Sequence, residues 1–278
     1  MLGSAMFRTL AEPDSLHEVF GTVRGNPPEV LLDNGFNSHL LSHVDVESQD
    51  SLLSAFANAQ PDVVINCVGL VKQLATAGNP LVAVPINTLL PHRLASLCAV
   101  AGSRLIHIST DCVFSGAKGN YIESDYADAD DLYGRSKFLG EVNYPNAITL
   151  RTSIIGHELA GARSLIGWFL AQQGRVSGFT RAIFSGLPTT ELAQVVKDFV
   201  LPKPELTGLY HVSAEPIDKY QLLKLVAQVY GKEIDIVPDH SLVIDRSLDS
   251  ERFKVATGYV SAPWQVLIER MHAEQKRH

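Results

Sequence analysis

The sequence predicts an α/β protein, a doubly wound parallel sheet with helices on both faces and a smaller C-terminal lobe. Short apolar runs alternate with longer segments of helical period over the first half of the chain, as expected for a parallel sheet flanked by helices. The 278 residues are 46% hydrophobic and 19% charged. This composition is that of a globular protein large enough to bury a sizeable core.

Four runs are predicted as buried strands: HEVFGTV (17–23), DVVINCV (62–68), RLIHIST (104–110) and AITLRT (147–152). A helix is predicted at SQDSLLSAFANA (48–59), after a Ser or Asp start, and another at INTLLPHRLASLCAVAG (86–102), where Gly102 would be the C-cap. Each strand would therefore lead into a helix that returns to the next strand.

The pattern changes near residue 153. Helices are predicted for GWFLAQQG, TTELAQVVKDFV and DKYQLLKLVAQVYGK, and a short strand for GLYHVS (208–213). We interpret residues 1–152 as a dinucleotide-binding domain and residues 153–278 as a partly interleaved substrate lobe.

The net charge and the cysteine pattern argue against a nucleic-acid-binding protein and against a metal site. The net charge is −7 and no basic run is present, which argues against nucleic acid as a partner. Cys67, Cys98 and Cys112 form no CxxC pair and no metal-ligand cluster, so a reducing, cytoplasmic setting without a metal is predicted. No apolar run of about 20 residues is apparent, so no membrane association is expected.

A Tyr and a Lys four residues apart occur in YGRSK, from Tyr133 to Lys137. On a helix they would share one face, and the ammonium would lower the pKa of the phenol so that it could exchange a proton with a carbonyl or alcohol oxygen. A surface helix with one buried Tyr is the alternative, because this spacing also arises by chance.

A second motif, ISTDCVFSG (108–116), lies at the carboxyl end of a predicted strand. Ligands of open α/β sheets bind at that edge, so Ser109, Thr110 and Asp111 would face the crevice. The hydroxyl of Thr110 could then donate to the same oxygen as Tyr133.

Together the two motifs resemble those of the short-chain dehydrogenase/reductases. STDCVFSG, KGNYIESD, LYGRSKFLGE, LRTSIIG, SGLPTTELA and GLYHVS are similar to segments of the extended, dTDP-4-dehydrorhamnose reductase type over nearly the whole chain. This resemblance implies a Rossmann-like fold and Thr110, Tyr133 and Lys137 as catalytic residues. It also implies substrate contacts from Asp111, Val113 and Phe114. Because a nucleotide diphosphate is anionic, Arg181 and Arg246 are further candidates by their position in the substrate lobe, with a solvated surface Arg as the alternative. Cys112 and Ser115 stand where the family has Tyr and Asp.

The resemblance also assigns cofactor positions. Asn66 and Gly69 would adjoin the ribose, Asp45 and Val46 the adenine, and Asn87 would serve as a structural or proton-relay residue. An ordinary turn at Asn66 and a helix cap at Asn87 are the alternatives. Arg24 suits a 2′-phosphate, which favours NADPH over NADH unless this Arg is merely solvated.

The first residues match the end of a glycine-rich loop. Met1-Leu2-Gly3 aligns with the last three positions of the family's GxxGxLG, so Leu2 and Gly3 would contact the cofactor. We expect the natural protein to begin upstream, with a further strand at the centre of the sheet. A cloning remnant, MLGS, is the alternative.

The resemblance implies an NADPH-dependent reductase of a 4-keto-6-deoxy nucleotide sugar, in polysaccharide or deoxysugar biosynthesis, and allows a homodimer. A dehydratase is disfavoured because Thr110-Asp111-Cys112 lacks a second carboxylate for eliminating water. A nucleotide-sugar epimerase and a non-catalytic NADP-binding regulatory subunit stay open as alternatives.

Overall fold

The computed structural model describes residues 1–12, 17–28, 40–71 and 75–276. Its helices are α1 (Leu2–Leu10), α2 (Gln49–Ala59), α3 (Pro80–Ala101), α4 (Leu132–Leu139), α5 (Leu165–Ala171), α6 (Thr189–Val195), α7 (Lys219–Tyr230), α8 (Glu251–Thr257) and α9 (Trp264–Gln275). Its strands are β1 (Gly21–Thr22), β2 (Leu40–Leu41), β3 (Val63–Asn66), β4 (Arg104–Thr110), β5 (Ala147–Thr152), β6 (Ile154–Ile155), β7 (Arg175–Phe179), β8 (Ala182–Phe184), β9 (Leu187–Pro188), β10 (Gly208–His211), β11 (Ile217–Asp218), β12 (Asp235–Asp239) and β13 (Ile244–Asp245).

The main sheet has the strand order β10–β5–β4–β3, and all four strands are parallel. The predicted strands 104–110 and 147–152 match β4 and β5 residue for residue. The segment 208–213 was expected in the C-terminal lobe, and this placement is wrong. Its strand β10 pairs with β5 because both are buried on their two faces, which suits the interior of a parallel sheet.

Strands β1 and β2 form a separate parallel pair. Of the predicted strand 17–23, only Gly21 and Thr22 form a β-strand that is hydrogen-bonded to a neighbouring strand. In the described part of the chain this pair shares no hydrogen-bond ladder with the four-stranded sheet, and β3 has β4 as its single strand neighbour.

Helices cover both faces of the main sheet, which confirms the doubly wound α/β class. On one face Leu105 and Ala147 pack with Leu52 of α2 and Leu94 of α3. On the other face the apolar residues of the sheet pack with side chains of α1 and α6: Ile106, Ile108, Ile148, Leu150, Leu2, Met6, Leu192 and Val195.

Helix α2 begins as predicted, with the Ser48 hydroxyl accepting a hydrogen bond from the Ser51 amide. Helix α3 ends as predicted at Gly102, whose φ of 72° favours glycine. Its predicted start at residue 86 is wrong, since the helix begins at Pro80 under an Asn79 cap and contains a π-helical segment, Val84–Leu89.

The expectation that no apolar segment is long enough to span a membrane is wrong for helix α3. Within the described ranges it is the one helix long and apolar enough to cross a bilayer. One of its faces packs into the core beneath β4 through Leu90, Leu94 and Cys98, as in a core helix of a globular protein.

The C-terminal segments add three small sheets, β12–β7, β11–β8–β13 and β6–β9. The residue after β13, Arg246, donates a hydrogen bond to the carbonyl of Phe114 in the segment that follows β4. Because β10 completes the main sheet, residues beyond 153 belong to both parts of the fold. The division at residue 152 stays a prediction.

Candidate active site

Lys137 lies in the second turn of α4, beneath the carboxyl end of β4. Asp131 starts the helix by accepting a hydrogen bond from the Gly134 amide at 2.7 Å. The Lys137 ammonium is buried and donates to the Ile108 carbonyl at 2.9 Å. Burial lowers the pKa of Lys137 to about 8.

Tyr133 lies one turn earlier on the same helix, and its phenol is close enough to Thr110 for that side chain to affect its pKa. Burial raises the pKa of Tyr133, with smaller contributions in the same direction from Cys112 and Asp111. The expectation that Lys137 lowers the pKa of this phenol is therefore wrong in this structure. The ammonium is engaged with the carbonyl of Ile108, and the desolvation of the phenolate dominates.

Thr110 ends β4 and caps a short 3₁₀ turn, Asp111–Val113. Its hydroxyl accepts from the Cys112 amide at 3.1 Å and donates to Asp111 Oδ1 at 3.1 Å. Burial raises the pKa of Asp111, and the nearby Arg246 and the hydrogen bonds it accepts oppose this shift. The structure thus brings Thr110, Asp111, Tyr133 and Lys137 together at one strand end.

Two glycines of α4 and its C-cap allow this close approach. A Cβ atom at Gly134 would lie 2.3 Å from the Cys112 carbonyl oxygen, and one at Gly140 would lie 1.9 Å from the Asn87 carbonyl oxygen. The glycines of YGRSKFLGE are therefore required by packing between α4, the segment after β4 and α3.

Asn87 lies inside the π-helical segment of α3 and is fully buried, so the helix-cap alternative is wrong. Its Oδ1 accepts from the Leu70 amide at 2.9 Å, and its Nδ2 donates to Ser136 Oγ at 3.1 Å. It therefore joins the loop after β3 to α4. π-Helical turns of this kind are frequent at functional sites.

Gly69 follows β3 and lies above Lys137. A Cβ there would meet Asn87 Oδ1 at 3.5 Å and Lys137 Nζ at 3.8 Å, so a side chain would fill the space over the ammonium. Asn66 is buried, accepts from the Val68 amide at 3.0 Å and contacts His107 Nδ1 at 3.1 Å. Its side chain thus shapes the turn, which supports the structural alternative for this residue.

Gly3 lies in the first turn of α1, opposite the end of β3, where a Cβ would lie 3.7 Å from Cys67 Cβ. Leu2 is 7% exposed and packs in the main core with Ile106 and Ile108, which leaves little of its side chain for a cofactor. A dinucleotide fits this edge of the sheet. Gly3, Gly69 and Lys137 would border it, with glycines where its phosphates and ribose need close approach to the backbone.

Arg24, Asp45 and Val46 follow the carboxyl ends of the β1–β2 pair. Arg24 is exposed. Asp45 is exposed and accepts from the Glu47 amide, whereas Val46 packs against the core cluster around Leu52. Their assignment to the adenosine half of a cofactor stays a prediction.

Two predicted substrate contacts are wrong. Val113 and Phe114 are both 0% exposed and lie in a cluster with Tyr121 and Leu248. The Phe114 ring stacks on Tyr121 at 4.0 Å between centroids. The 3₁₀ turn after Thr110 directs both side chains into the protein interior, where they pack beneath the site.

The two predicted arginines differ in position. Arg181 is exposed in the turn between β7 and β8. Arg246 reaches the site, where its Nε donates to the Phe114 carbonyl at 2.7 Å and an Nη lies 3.7 Å from Cys112 Sγ. Lys219, which the sequence did not single out, is close enough to Asp111, Cys112 and Arg246 to interact with their charges.

Comparison with known proteins agrees with this architecture. The probable low-salt glycan biosynthesis reductase Agl14 of Haloferax volcanii is 33% identical over 174 residues, covering 60% of this chain and 55% of that protein. The dTDP-4-dehydrorhamnose reductase of Aggregatibacter actinomycetemcomitans is 26% identical over 88% of this chain and 93% of its own. The crystal structure of a dTDP-4-dehydrorhamnose reductase from Bacillus anthracis in complex with NADP superposes with a TM-score of 0.75 at 18% identity, covering 91% and 97% of the two chains.

The fold and the Thr, Tyr and Lys side chains gathered at the end of β4 are those of the extended short-chain dehydrogenase/reductase class. Within that class, the model of the RmlD substrate binding domain family matches residues 1–276, and the chain belongs to this family.

Proposed function

We propose that the protein is an NADPH-dependent reductase of a 4-keto-6-deoxy nucleotide sugar, acting in polysaccharide or deoxysugar biosynthesis. The observation that carries this proposal is the gathering of Thr110, Tyr133 and the buried Lys137 at the carboxyl end of β4. The names of the relatives support the substrate class, and the NADP complex of the Bacillus anthracis protein supports the cofactor. We place the activity in the cytoplasm, with a homodimer as the proposed assembly.

The nicotinamide supplies the hydride when it is bound. Tyr133 keeps its proton at neutral pH because burial raises its pKa, so it acts as the acid toward the developing alkoxide. Thr110 donates a second hydrogen bond to the same oxygen once it turns from Asp111. Lys137 uses one N–H for the Ile108 carbonyl, which leaves two for ribose hydroxyls.

The direct test is oxidation of NADPH by the purified protein with dTDP- and UDP-linked 4-keto-6-deoxy sugars. Wild type should turn over with NADPH and more slowly with NADH. Tyr133→Phe should lower kcat by about 10²–10⁴-fold, the usual contribution of a positioned acid, with NADPH binding unchanged. Tyr126→Phe is the matched control, since that side chain is 84% exposed.

Two outcomes would contradict the proposal. Tight NADPH binding without turnover of any 4-keto substrate would favour the regulatory subunit. Interconversion of 4-epimers by protein that carries copurified NAD, without added NADPH, would favour the epimerase.

A further inference from the structure

The loop after β3, residues 67–70, is held at two of its backbone amides by two asparagine side chains. The amide of Val68 donates to Asn66 Oδ1 at 3.0 Å, and the amide of Leu70 donates to Asn87 Oδ1 at 2.9 Å. Both asparagines are buried. The position of the loop therefore depends on how these two side-chain amides are oriented.

Each asparagine needs a second contact that fixes its orientation, because its amide must present oxygen rather than nitrogen to the loop. For Asn87 this contact is Ser136 Oγ, which accepts from Nδ2 at 3.1 Å. The Ser136 hydroxyl in turn donates to the Tyr133 carbonyl at 2.9 Å. This half of the arrangement is thus anchored to the backbone of α4.

For Asn66 the second contact is His107, its register partner on β4. Since Asn66 Oδ1 accepts from the loop, its Nδ2 is the atom that faces His107 Nδ1 at 3.1 Å, and Nδ1 must be the acceptor. The imidazole proton is then on Nε2. Burial, with smaller contributions from Lys137 and His92, lowers the pKa of His107, which agrees with a neutral ring.

The second nitrogen of His107 has no such contact. The residue is 0% exposed, and its Nε2 has no hydrogen-bond partner among the residues that the structure describes. A buried donor without a partner is unfavourable, whereas an apolar side chain would fill this position without that penalty. What the imidazole provides here is therefore the acceptor at Nδ1.

The loop that this contact fixes lies over the proposed catalytic lysine. A Cβ at Gly69, between the two held amides, would be 3.8 Å from Lys137 Nζ. The ammonium is held in turn by the carbonyl of Ile108, the residue directly after His107. Adjacent residues of β4 therefore fix both the loop and the ammonium, and with them the space between the two.

We propose that His107 is a positioning residue for cofactor binding: its Nδ1 orients the Asn66 amide, and Asn66 holds the loop at the distance from Lys137 that a ribose requires. This inference rests on the proposed function, because it takes the bound ligand to be NADPH. His107 does not touch the cofactor and acts only through Asn66.

The test compares His107→Asn with His107→Gln, because both introduce the same amide group and differ in where it lies. The Asn oxygen can take the place of Nδ1, whereas the Gln amide lies one bond farther from the backbone, toward the place of Nε2. His107→Asn should keep the NADPH dissociation constant of wild type. His107→Gln should raise it about tenfold, as expected for one lost hydrogen bond. Calorimetry without a sugar substrate measures both.

A double-mutant cycle separates positioning from a general contribution to stability. Asn66→Ala should weaken NADPH binding about tenfold, and the double variant should bind no more weakly than Asn66→Ala alone, because His107 acts through that asparagine. Losses that add up independently would overturn the proposal, as would equal binding by His107→Gln and wild type. Asn66→Ala alone serves if the histidine variants fail to fold, and unchanged NADPH binding by it would then overturn the proposal.

His211→Gln is the matched control. His211 is equally buried on β10, and its Nδ1 faces the carbonyls of Tyr121 and Asp249 instead of a loop asparagine. It should lower Tm and leave NADPH binding unchanged. Equal weakening of NADPH binding by His211→Gln and His107→Gln would overturn the proposal.

Turnover supplies a further readout. In His107→Gln the loss of kcat/KM should come from a higher KM for NADPH rather than from a lower kcat, because the contact serves binding of the cofactor and not the chemical step. If wild type reduces no 4-keto sugar while NADPH binding still depends on His107, the reductase is contradicted and the positioning role stands.

Discussion

At the scale of single residues, burial sets the protonation states on which the proposed reaction depends. Tyr133 and Lys137 lie on one helix face and both lose water, yet their pKa values move in opposite directions because burial disfavours whichever form is charged. At neutral pH the phenol is protonated and the ammonium is charged. That is the combination a reductase needs, an acid beside a cation.

This pair predicts a pH profile. The pKa of Lys137 is about 8, below its ordinary value, so the ammonium is charged below that pH and neutral above it. For carbonyl reduction, kcat/KM should stay level in the neutral range and fall as pH rises through about 8. Steady-state kinetics on wild type and Lys137→Met checks this, because the fall in kcat/KM near pH 8 should be absent in the variant. A level wild-type profile up to pH 10 would contradict it.

Sequence reasoning at this scale found Thr110, Tyr133 and Lys137 because each sits in a motif with fixed spacing. It missed Lys219, since a lysine at the start of a predicted helix is usually a solvated residue, whereas here it is half-buried and the charge of Asp111 acts on it. It misplaced Val113 and Phe114 because a short 3₁₀ turn interrupts the alternation of a strand.

At the scale of elements, the approach of α4 to α3 positions the helix face that carries Tyr133 and Lys137. Pro91 lacks the N–H that would bond the Asn87 carbonyl four residues earlier, so this α-helical hydrogen bond is missing at the point where α3 meets α4. The backbone of Gly140 lies against that carbonyl. The sequence showed the prolines and the glycine, but nothing in their spacing indicated that they meet.

Gly140→Ala should therefore push the two helices apart. Its Cβ would lie 1.9 Å from backbone oxygen, which cannot move aside as a side chain could. The free energy of unfolding should fall by about 1–3 kcal/mol, as for other overpacked sites, and turnover should fall with it. Urea denaturation measures the change.

Gly78→Ala is the control for this substitution, since no atom of the described residues lies within 4 Å of the added Cβ and its φ is not positive. Equal stability of the two variants would show that α4 tolerates a side chain at its C-cap.

At the scale of the whole molecule, one row of polar residues crosses the main sheet. Ser109, Arg151 and His211 are register partners on β4, β5 and β10. Arg151 pairs with Glu141 through Nε at 2.8 Å and through a second nitrogen, and donates to His211 Nε2 at 3.0 Å. The Ser109 hydroxyl donates to the same Glu141 at 2.7 Å.

His211 extends this row into the C-terminal part. Its Nδ1 faces two carbonyl oxygens, those of Tyr121 and Asp249, so the proton lies on Nδ1 and Nε2 accepts from Arg151. Burial and the charge of Arg151 lower the pKa of His211 to about 3, which keeps the ring neutral. The segments that contain Tyr121 and Asp249 are thereby connected to β10 of the main sheet.

Breaking the ion pair between Glu141 and Arg151 should lower the free energy of unfolding. Glu141→Gln or Arg151→Met alone should reduce the free energy of unfolding by about 3–5 kcal/mol, because a buried charge loses its partner. The double variant should lose less than the sum of the two. Arg175→Met, from a pair that is 75% and 54% exposed, should cost less than about 1 kcal/mol. Strictly additive losses in urea denaturation would contradict the coupling.

The fold class follows from the sequence because buried parallel strands are continuous apolar runs, as in β4 and β5. The position of β10 does not follow. GLYHVS is short and begins with glycine, and its place beside β5 depends on His211 meeting Arg151, a contact between residues 60 positions apart.

That contact has a consequence for synthesis on the ribosome. Strand β5 carries a cation into the sheet interior, and the ring that accepts from it emerges only after another 60 residues have been made. Until then Arg151 has only Glu141 and the Phe114 ring as partners among these residues, and the outer edge of β5 is open to other chains. The nascent N-terminal half should therefore remain a substrate for chaperones, and closure of the sheet should wait for residue 211.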